Sequence, residues 1–371
     1  MNENHKISSY VFTSIIVAVL GWSIFWVGTT GIKTALINNS HVNFKFSSNS
    51  NNIITSSDKE NSTIISTSSE SISSDTASIF DSIFPEKSSK LSIIITGDVM
   101  LDRGVRSMAQ KYGYEYLFDA VTPLFKKADI TMINLEGPIT SNKSKTLLPN
   151  GKTTKELTFT FATTTAKILN TIGVSIVNLA NNHTTNFGSE GLKETKKWLE
   201  DANIKWFGSP WNSSSTESVI TKNNIAVAFV GYHAFEPGFD KVINTVKDLS
   251  AKGNFVIVTP HWGTEYSTSS SEKMRSQAKL LADSGAGAII GSHPHVTLDK
   301  EWLSDVPVFY SLGNLLFDQY FSPEVMKGNI VELSLKKDSK GVHLDKVQIY
   351  ETSTASRKGV SLGTTTEEFV K

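Results

Sequence analysis

Cysteine is absent from all 371 residues, and that absence removes several chemistries at once. Disulfides, thiolate nucleophiles and cysteine-held zinc sites are excluded, which leaves any metal to histidine, aspartate, glutamate and asparagine. A chain without thiols also suits an oxidising exterior. Net charge is missing too, because 36 Lys and Arg balance 36 Asp and Glu. With no basic excess to displace counterions from phosphates, nucleic acid is not an expected partner.

Charge is also absent from Tyr10 to Ile32. A membrane-spanning helix needs roughly 20 mostly apolar residues, so this run qualifies. It exceeds the ~7–15-residue apolar core of a cleaved signal peptide, and no Ala-x-Ala site follows. Residues 10–32 are therefore expected to form an uncleaved transmembrane signal anchor behind a short tail, 1–9. Lys6 precedes the run and Lys33 follows it, so flanking charge barely biases its orientation. Residues 33–90 are dominated by Ser, Thr and Asn. Such a segment buries too little apolar surface to offset its ordering entropy and is expected to be a disordered stalk. A polar spacer after a single span points to a globular domain held outside the cell membrane.

Beyond Pro85, apolar runs alternate with helical patterns. Leu91–Thr96, Asp129–Asn134, Val174–Val177, Ile225–Val230, Phe255–Val258, Gly287–Gly291 and Val306–Tyr310 read as buried strands. Helical spacing is seen through Leu117, Val121, Leu124 and Phe125, then over Thr164–Ile172, Gly188–Ala202, Lys241–Lys252 and Ser271–Ser284. The runs Ile330–Leu335 and Val342–Ile349 look like a closing antiparallel pair. This rhythm predicts an α/β domain over 91–352 with a C-terminal tail, 353–371.

Five strand ends carry polar groups: Asp98, Glu136, Asn182-His183, His261 and His293-x-His295. Singly each has an ordinary explanation: a helix cap for Asp98, a surface acid for Glu136, a turn residue for Asn182, a hydrogen-bonded histidine for His261. Together they place four of the eight histidines where an open sheet gathers its ligand groups. Imidazole and hard oxygen donors without sulfur suit Mn, Fe, Zn or a similar divalent ion. There are more donors than one four-coordinate site needs, so two ions are expected. Trp262 and Trp302 either line a groove or lie buried.

The segments ITGDVMLDRG, INLEGPIT, NLANNHTTNFG, HWGTEY, GSHPHV and YSLGNLLFDQ, in this order, resemble the CapA family of bacterial capsule-synthesis and poly-γ-glutamate-biosynthesis proteins. The resemblance implies a fold similar to calcineurin-like metallophosphatases, a four-layer arrangement in which a β-sandwich is flanked by helices. It implies a dimetal site at the strand ends, with Asp98, Glu136, Asn182, His261, His293 and His295 as ligands. His183 would stand beside the leaving group as its proton donor, and Arg103 would hold an anionic substrate, unless it forms only a surface salt bridge. Glu265, Tyr266, Asn314 and Asp318 would orient the ligating groups. Two departures stand out: Asp98 is followed by Val99-Met100 rather than by x-His, and Asn186 stands where relatives often have an acid.

The activity so implied is that of a metal-dependent, phosphoesterase-like hydrolase acting on a phosphoester or an anionic polymer. The alternative is a non-catalytic, polymer-binding or scaffold component. Polymer synthetase or export subunits are the expected partners in either case.

Overall fold

The computed structural model describes residues 89–371 apart from 213–216 and 340, together with four short segments nearer the N-terminus. The chain divides into two units, Met1–Glu86 and Lys87–Lys371. In the first, Ala18–Leu20 pairs antiparallel with Ser23–Phe25, and Asn52–Thr55 pairs with Thr63–Ser66. Residues 10–32 were expected to be a helix and 33–90 disordered, whereas the described residues of both are strands; the rest of both, up to Ser89, lies outside the described residues. Among the described residues no helix is long and apolar enough to cross a membrane.

The second unit begins with β1 (Ser89–Val99), followed by α1 (Arg103–Tyr112), α2 (Tyr114–Leu117), α3 (Thr122–Lys127) and β2 (Ile130–Leu135). Next come α4 (Thr165–Thr171), β3 (Ile176–Asn178), α5 (Gly188–Asp201), β4 (Lys205–Phe207) and β5 (Glu217–Lys222). The centre of the chain forms β6 (Ile225–His233), α6 (Phe239–Ala251), β7 (Phe255–His261), α7 (Glu272–Asp283) and β8 (Ala288–Ile290). Six strands finish it: β9 (Lys300–Leu303), β10 (Val306–Phe309), β11 (Asn314–Leu316), β12 (Lys327–Asp338), β13 (Gly341–Ser353) and β14 (Ser361–Glu368).

Two sheets result. One runs β9-β10-β8-β7-β6-β5, and the other β14-β13-β12-β1-β2-β3-β4 with β11 added beside β1. β1 to β4 are mutually parallel, as are β6, β7, β8 and β10. Each parallel set needs crossovers, and helices supply most of them.

Three apolar clusters show how the layers stack. Leu91, Ile93 and Ile95 of β1 meet Val227 and Phe229 of β6 and Ile257 of β7 between the sheets. Ile94 and Val99, on the opposite face of β1, pack under Val105, Phe125, Leu169 and Leu199 from the helices. Val230, Val256 and Ile289 do the same under Val246, Ala278 and Leu281 of α6 and α7. A strand buried on both faces must be apolar at consecutive positions, which is why β1 reads Ile93-Ile94-Ile95 rather than alternating. The layers are thus helix, sheet, sheet, helix.

Several elements differ from expectation. The helical stretch through Leu117 is three short helices, broken at Gly113 (φ 89°) and restarted near Pro123. β6 runs three residues past Val230, to His233. β4, β5, β9 and β11 were not expected from the apolar pattern, because they are short or half-exposed. The stretch expected as a tail, 353–371, instead carries β14, which pairs with β13 as an edge strand. Its Thr-Thr-Thr-Glu-Glu run buries almost nothing and so gives no periodic signal. Trp262 is a core residue, 1% exposed, whose indole N–H donates to the Tyr310 carbonyl, and Trp302 stacks on Phe369.

Candidate metal centre

The strand registers set two polar rows at the same height. Asp98 pairs with Asn134, and Asn134 with Asn178, across β1, β2 and β3. On the facing sheet His233 pairs with His261, which bridges to Ser292. The rows touch where the Asn134 amide approaches Nδ1 of His261 at 3.4 Å. Side chains on successive residues alternate between faces, so this register aims both rows into the mouth of the sandwich.

All six expected ligand residues converge there. Asp98 accepts from the Asn134 side-chain amide at 2.7 Å and from the His293 backbone N–H at 3.1 Å, and its Oδ2 lies 3.3 Å from Nδ1 of His295. Nε2 of His295 is 3.6 Å from Glu136, and Nε2 of His183 is 3.9 Å from the same carboxylate oxygen. His261 Nε2 lies 3.0 Å from the Asn182 side-chain oxygen and 3.2 Å from Nδ1 of His293. Two sets of ligand atoms lie within 4.8 Å of one another: Asp98, Glu136 and His261, and Glu265, His293 and His295.

Glu136 tests whether a cation fits. It is 0% exposed, yet both carboxylate oxygens lack any hydrogen-bond donor. Its cationic neighbour, His295 at 3.6 Å, is shared with Asp98, so a buried carboxylate without hydrogen bonds stays costly unless further positive charge completes it. The donor set of imidazoles, carboxylates and an amide oxygen fits a divalent metal.

The electrostatics agree. Burial, then the neighbouring Asp98 carboxylate, pushes Glu136 well above the usual carboxyl range. Burial also acts against ionised Asp98, but the His295 hydrogen bond and charge, with Asn134 and the His293 amide, outweigh it and hold that carboxyl low. His295 is raised to about 9 despite its burial, because Glu136 and Asp98 face it. Burial acts against charge on the other imidazoles: it lowers His183 and His293 to about 4, and it holds His261 well below the ordinary histidine value.

Local backbone is bent to make these contacts. Arg103, Tyr266, His293 and His295 all have positive φ, at 50°, 62°, 97° and 59°. Such conformations cost energy in non-glycine residues and cluster at sites the surroundings over-determine. Gly291 precedes the turn because a Cβ there would lie 2.2 Å from the Tyr310 carbonyl oxygen.

The surrounding residues serve different ends. His183 Nδ1 donates to the Asn186 side-chain oxygen at 3.1 Å, an atom that also accepts from the Phe159 N–H. Nδ1 therefore carries the proton, and Nε2 faces Glu136 as an acceptor. This geometry supports a proton-accepting His183, where the resemblance implies a donating one. Arg103 is paired with Asp318 through Nε at 2.9 Å and through Nη2, and its guanidinium lies over the rings of Phe159 and Phe317. Asn314 accepts from or donates to His295, Gln319 and Val325, and Gln319 reaches the Tyr266 hydroxyl.

Sequence reasoning passed over Asn134, Asn181 and His233. Asn134 is the hub: its oxygen accepts from both Asn178 and Asn181 while its amide serves Asp98. An asparagine closing an otherwise apolar strand, as in Ile133-Asn134 and Val177-Asn178, was the available signal. His233 was missed because its strand was ended at Val230.

A family model described as bacterial capsule synthesis protein PGA_cap matches residues 92–319, and the chain belongs to that family. It is 32% identical to the capsule biosynthesis protein CapA of Bacillus anthracis over 252 residues, which is 62% of this chain and 60% of that protein. It is 28% identical to the PGA biosynthesis protein CapA of Bacillus subtilis (strain 168) over 291 residues, 73% and 75% of the two chains. The match thus spans about 60% of the length of the Bacillus anthracis relative. Among solved structures, wild-type Vps29 complexed with Zn2+ from Entamoeba histolytica aligns with 63% of this chain and 97% of its own, at 14% identity and a TM-score of 0.28.

Proposed function

We propose that this protein acts in the synthesis or export of a bacterial capsule or poly-γ-glutamate, and that its strand-end cluster is a divalent-metal hydrolase centre of the metallophosphatase kind. The observation that carries the reading is Glu136, a buried carboxylate whose two oxygens accept no hydrogen bond, among Asp98, His183 and His295. The cations would be held by Asp98, Glu136, Asn182, His261, His293 and His295. When bound, they supply Lewis-acid polarisation and a nucleophile at neutral pH. His183 accepts a proton at Nε2, with its tautomer fixed by Asn186. Arg103, aimed by Asp318, attracts the anionic group.

A loop next to the centre favours a polymeric anion. In the stretch 141–158, Lys143, Lys145, Lys152 and Lys155 are all exposed, against one acid, Glu156. The loop ends at Phe159, whose ring lies 4.4 Å from that of His183. The same lysines would serve a polymer-binding role without catalysis. In both readings residues 10–32 anchor the chain in the cell membrane, with the globular unit outside.

The test combines metal analysis of the purified chain with turnover of phosphodiester and γ-glutamyl amide substrates. Metal-dependent turnover abolished by His295→Ala supports hydrolysis. Metal binding and polymer retention without turnover support the binding role, and the absence of bound metal after reconstitution overturns the centre itself.

A further inference from the structure

His233 is a fifth histidine at a strand carboxyl end, and neither the motifs nor the function proposed above uses it. It closes β6 opposite His261 in a parallel register. Residues 225, 227 and 229 of β6 face the other sheet, so by alternation position 233 does too, as Phe255, Ile257 and His261 do on β7. Both imidazoles therefore enter the same mouth, with ring centroids 6.1 Å apart. Phe235, half-exposed, lies against His233, His261 and His293 at 5.5, 6.4 and 4.6 Å.

The residue is held with unusual care. Asn212 grips its backbone from both sides, accepting from the His233 N–H at 2.9 Å and donating to its carbonyl at 2.7 Å. The Pro210 carbonyl, which can only accept, takes the Nδ1 proton at 2.7 Å. With Nδ1 donating, Nε2 is left to accept. It is buried, in a residue 5% exposed, and nothing donates to it. Most buried polar side-chain atoms are paired, so an imidazole nitrogen held open in this way calls for a ligand. A backbone carbonyl fixing one ring nitrogen so that the other is presented is how ligating imidazoles are oriented.

We propose that His233 is a third imidazole of the centre, binding a divalent cation through Nε2 together with His261 and His293. This inference rests on the reading of the cluster as a metal centre and deepens it. The centre then has a nitrogen-rich side, at His233, His261 and His293, and a carboxylate-rich side, at Asp98, Glu136 and His295; His261 also lies within reach of Asp98 and Glu136, and His293 within reach of His295 and Glu265. Rings sharing one metal at bonds of about 2.1 Å stand roughly 5–6 Å apart; the His261 ring lies 6.1 Å from that of His233 and 4.8 Å from that of His293. A nitrogen-rich position prefers Zn2+ or Co2+ to Mg2+ or Mn2+.

The purified full chain, stripped with chelator, is titrated with Co2+ and with Zn2+, reading stoichiometry by elemental analysis and ligand geometry by the Co2+ visible spectrum. Wild type is expected to take two equivalents. His233→Leu should keep one at unchanged affinity and bind the other at least a hundredfold more weakly, with loss of its visible band. A folded His233→Leu variant that keeps both equivalents at wild-type affinity overturns the inference and leaves the metal centre standing. A wild-type chain that binds neither ion overturns both. Should the variant not fold, X-ray absorption of wild type at one equivalent of zinc decides: three imidazoles support the assignment, and two overturn it.

Discussion

Oδ2 of Asp98 lies 3.3 Å from Nδ1 of His295, so the end of the first strand meets the turn that follows β8. The same carboxylate accepts from the backbone of His293. Asp98 is thus a fastener of the turn as well as a donor to the centre. Asp98→Asn preserves shape but removes the charge opposite His295. In chelator it is expected to lower unfolding free energy by about 1–3 kcal/mol, read from urea midpoints. Added Zn2+ should stabilise wild type and leave the variant unmoved.

Glu136 predicts the opposite. Its carboxyl accepts no hydrogen bond in a buried site, and its cationic neighbour His295, at 3.6 Å, is already shared with Asp98, so the cation-free protein bears a net cost there. Glu136→Gln is expected to stabilise the chelated protein by about 1–2 kcal/mol while weakening cation binding at least a hundredfold. Thermal melts with and without Zn2+ should therefore cross over between wild type and variant. A variant that loses stability in chelator would show that the carboxylate has structural partners after all.

Arg103 separates anion binding from packing. Its pair with Asp318 is mostly buried, with side chains 14% and 9% exposed, so it is not a loose surface salt bridge. Methionine keeps an unbranched apolar stem beside Phe159 and Phe317 and removes the charge. Arg103→Met is expected to weaken inorganic phosphate binding to the cation-loaded protein about tenfold or more, with a shallower salt dependence, by calorimetry. Unchanged affinity would confine Arg103 to its partnership with Asp318.

Histidine was legible in the sequence because it is rare here and because neither caps nor turns favour it. His183, His261, His293 and His295 therefore stood out at strand ends before any contact was known. Asn134 did not, because asparagine is common in this chain and its role depends on facing His261 across the sandwich. His233 was lost to a strand boundary: Gly231 reads as a terminator, yet here it admits close approach to Gly208 and Ala180. Edge strands such as β14 gave no signal because one side of them buries nothing. The sequence pattern reports burial, so what is positioned by pairing alone stays hidden from it.

Gly291 tests whether backbone crowding sets the turn. A Cβ there would meet the Tyr310 carbonyl oxygen at 2.2 Å and the Trp262 indole nitrogen at 2.5 Å. Neither is a flexible tip, since the indole is itself bonded to that carbonyl. Gly291→Ala is expected to cost about 2–4 kcal/mol of stability and to weaken cation binding through displaced His293 and His295. Denaturant unfolding and Zn2+ titration of the same preparation would show both losses together.

Acid should loosen the far end of the two sheets through Asp129. Burial acts to raise this carboxyl, but the Ser92 backbone N–H and hydroxyl and the Lys222 ammonium outweigh it and depress it below the usual 3.8. The bonds run at 2.9 Å and 3.1 Å from Ser92, with Lys222 at 3.3 Å from the other oxygen. A depressed carboxyl contributes stability that is present above its unfolded value near 3.8 and is lost as pH falls through its lower folded value. Asp129→Asn should therefore be less stable than wild type by about 1 kcal/mol at pH 6, and the gap should close towards pH 3. Urea midpoints for both proteins across that range measure it. A gap that stayed constant would assign the effect to the side chain's shape, because only the ionised carboxylate gains from both Ser92 and Lys222.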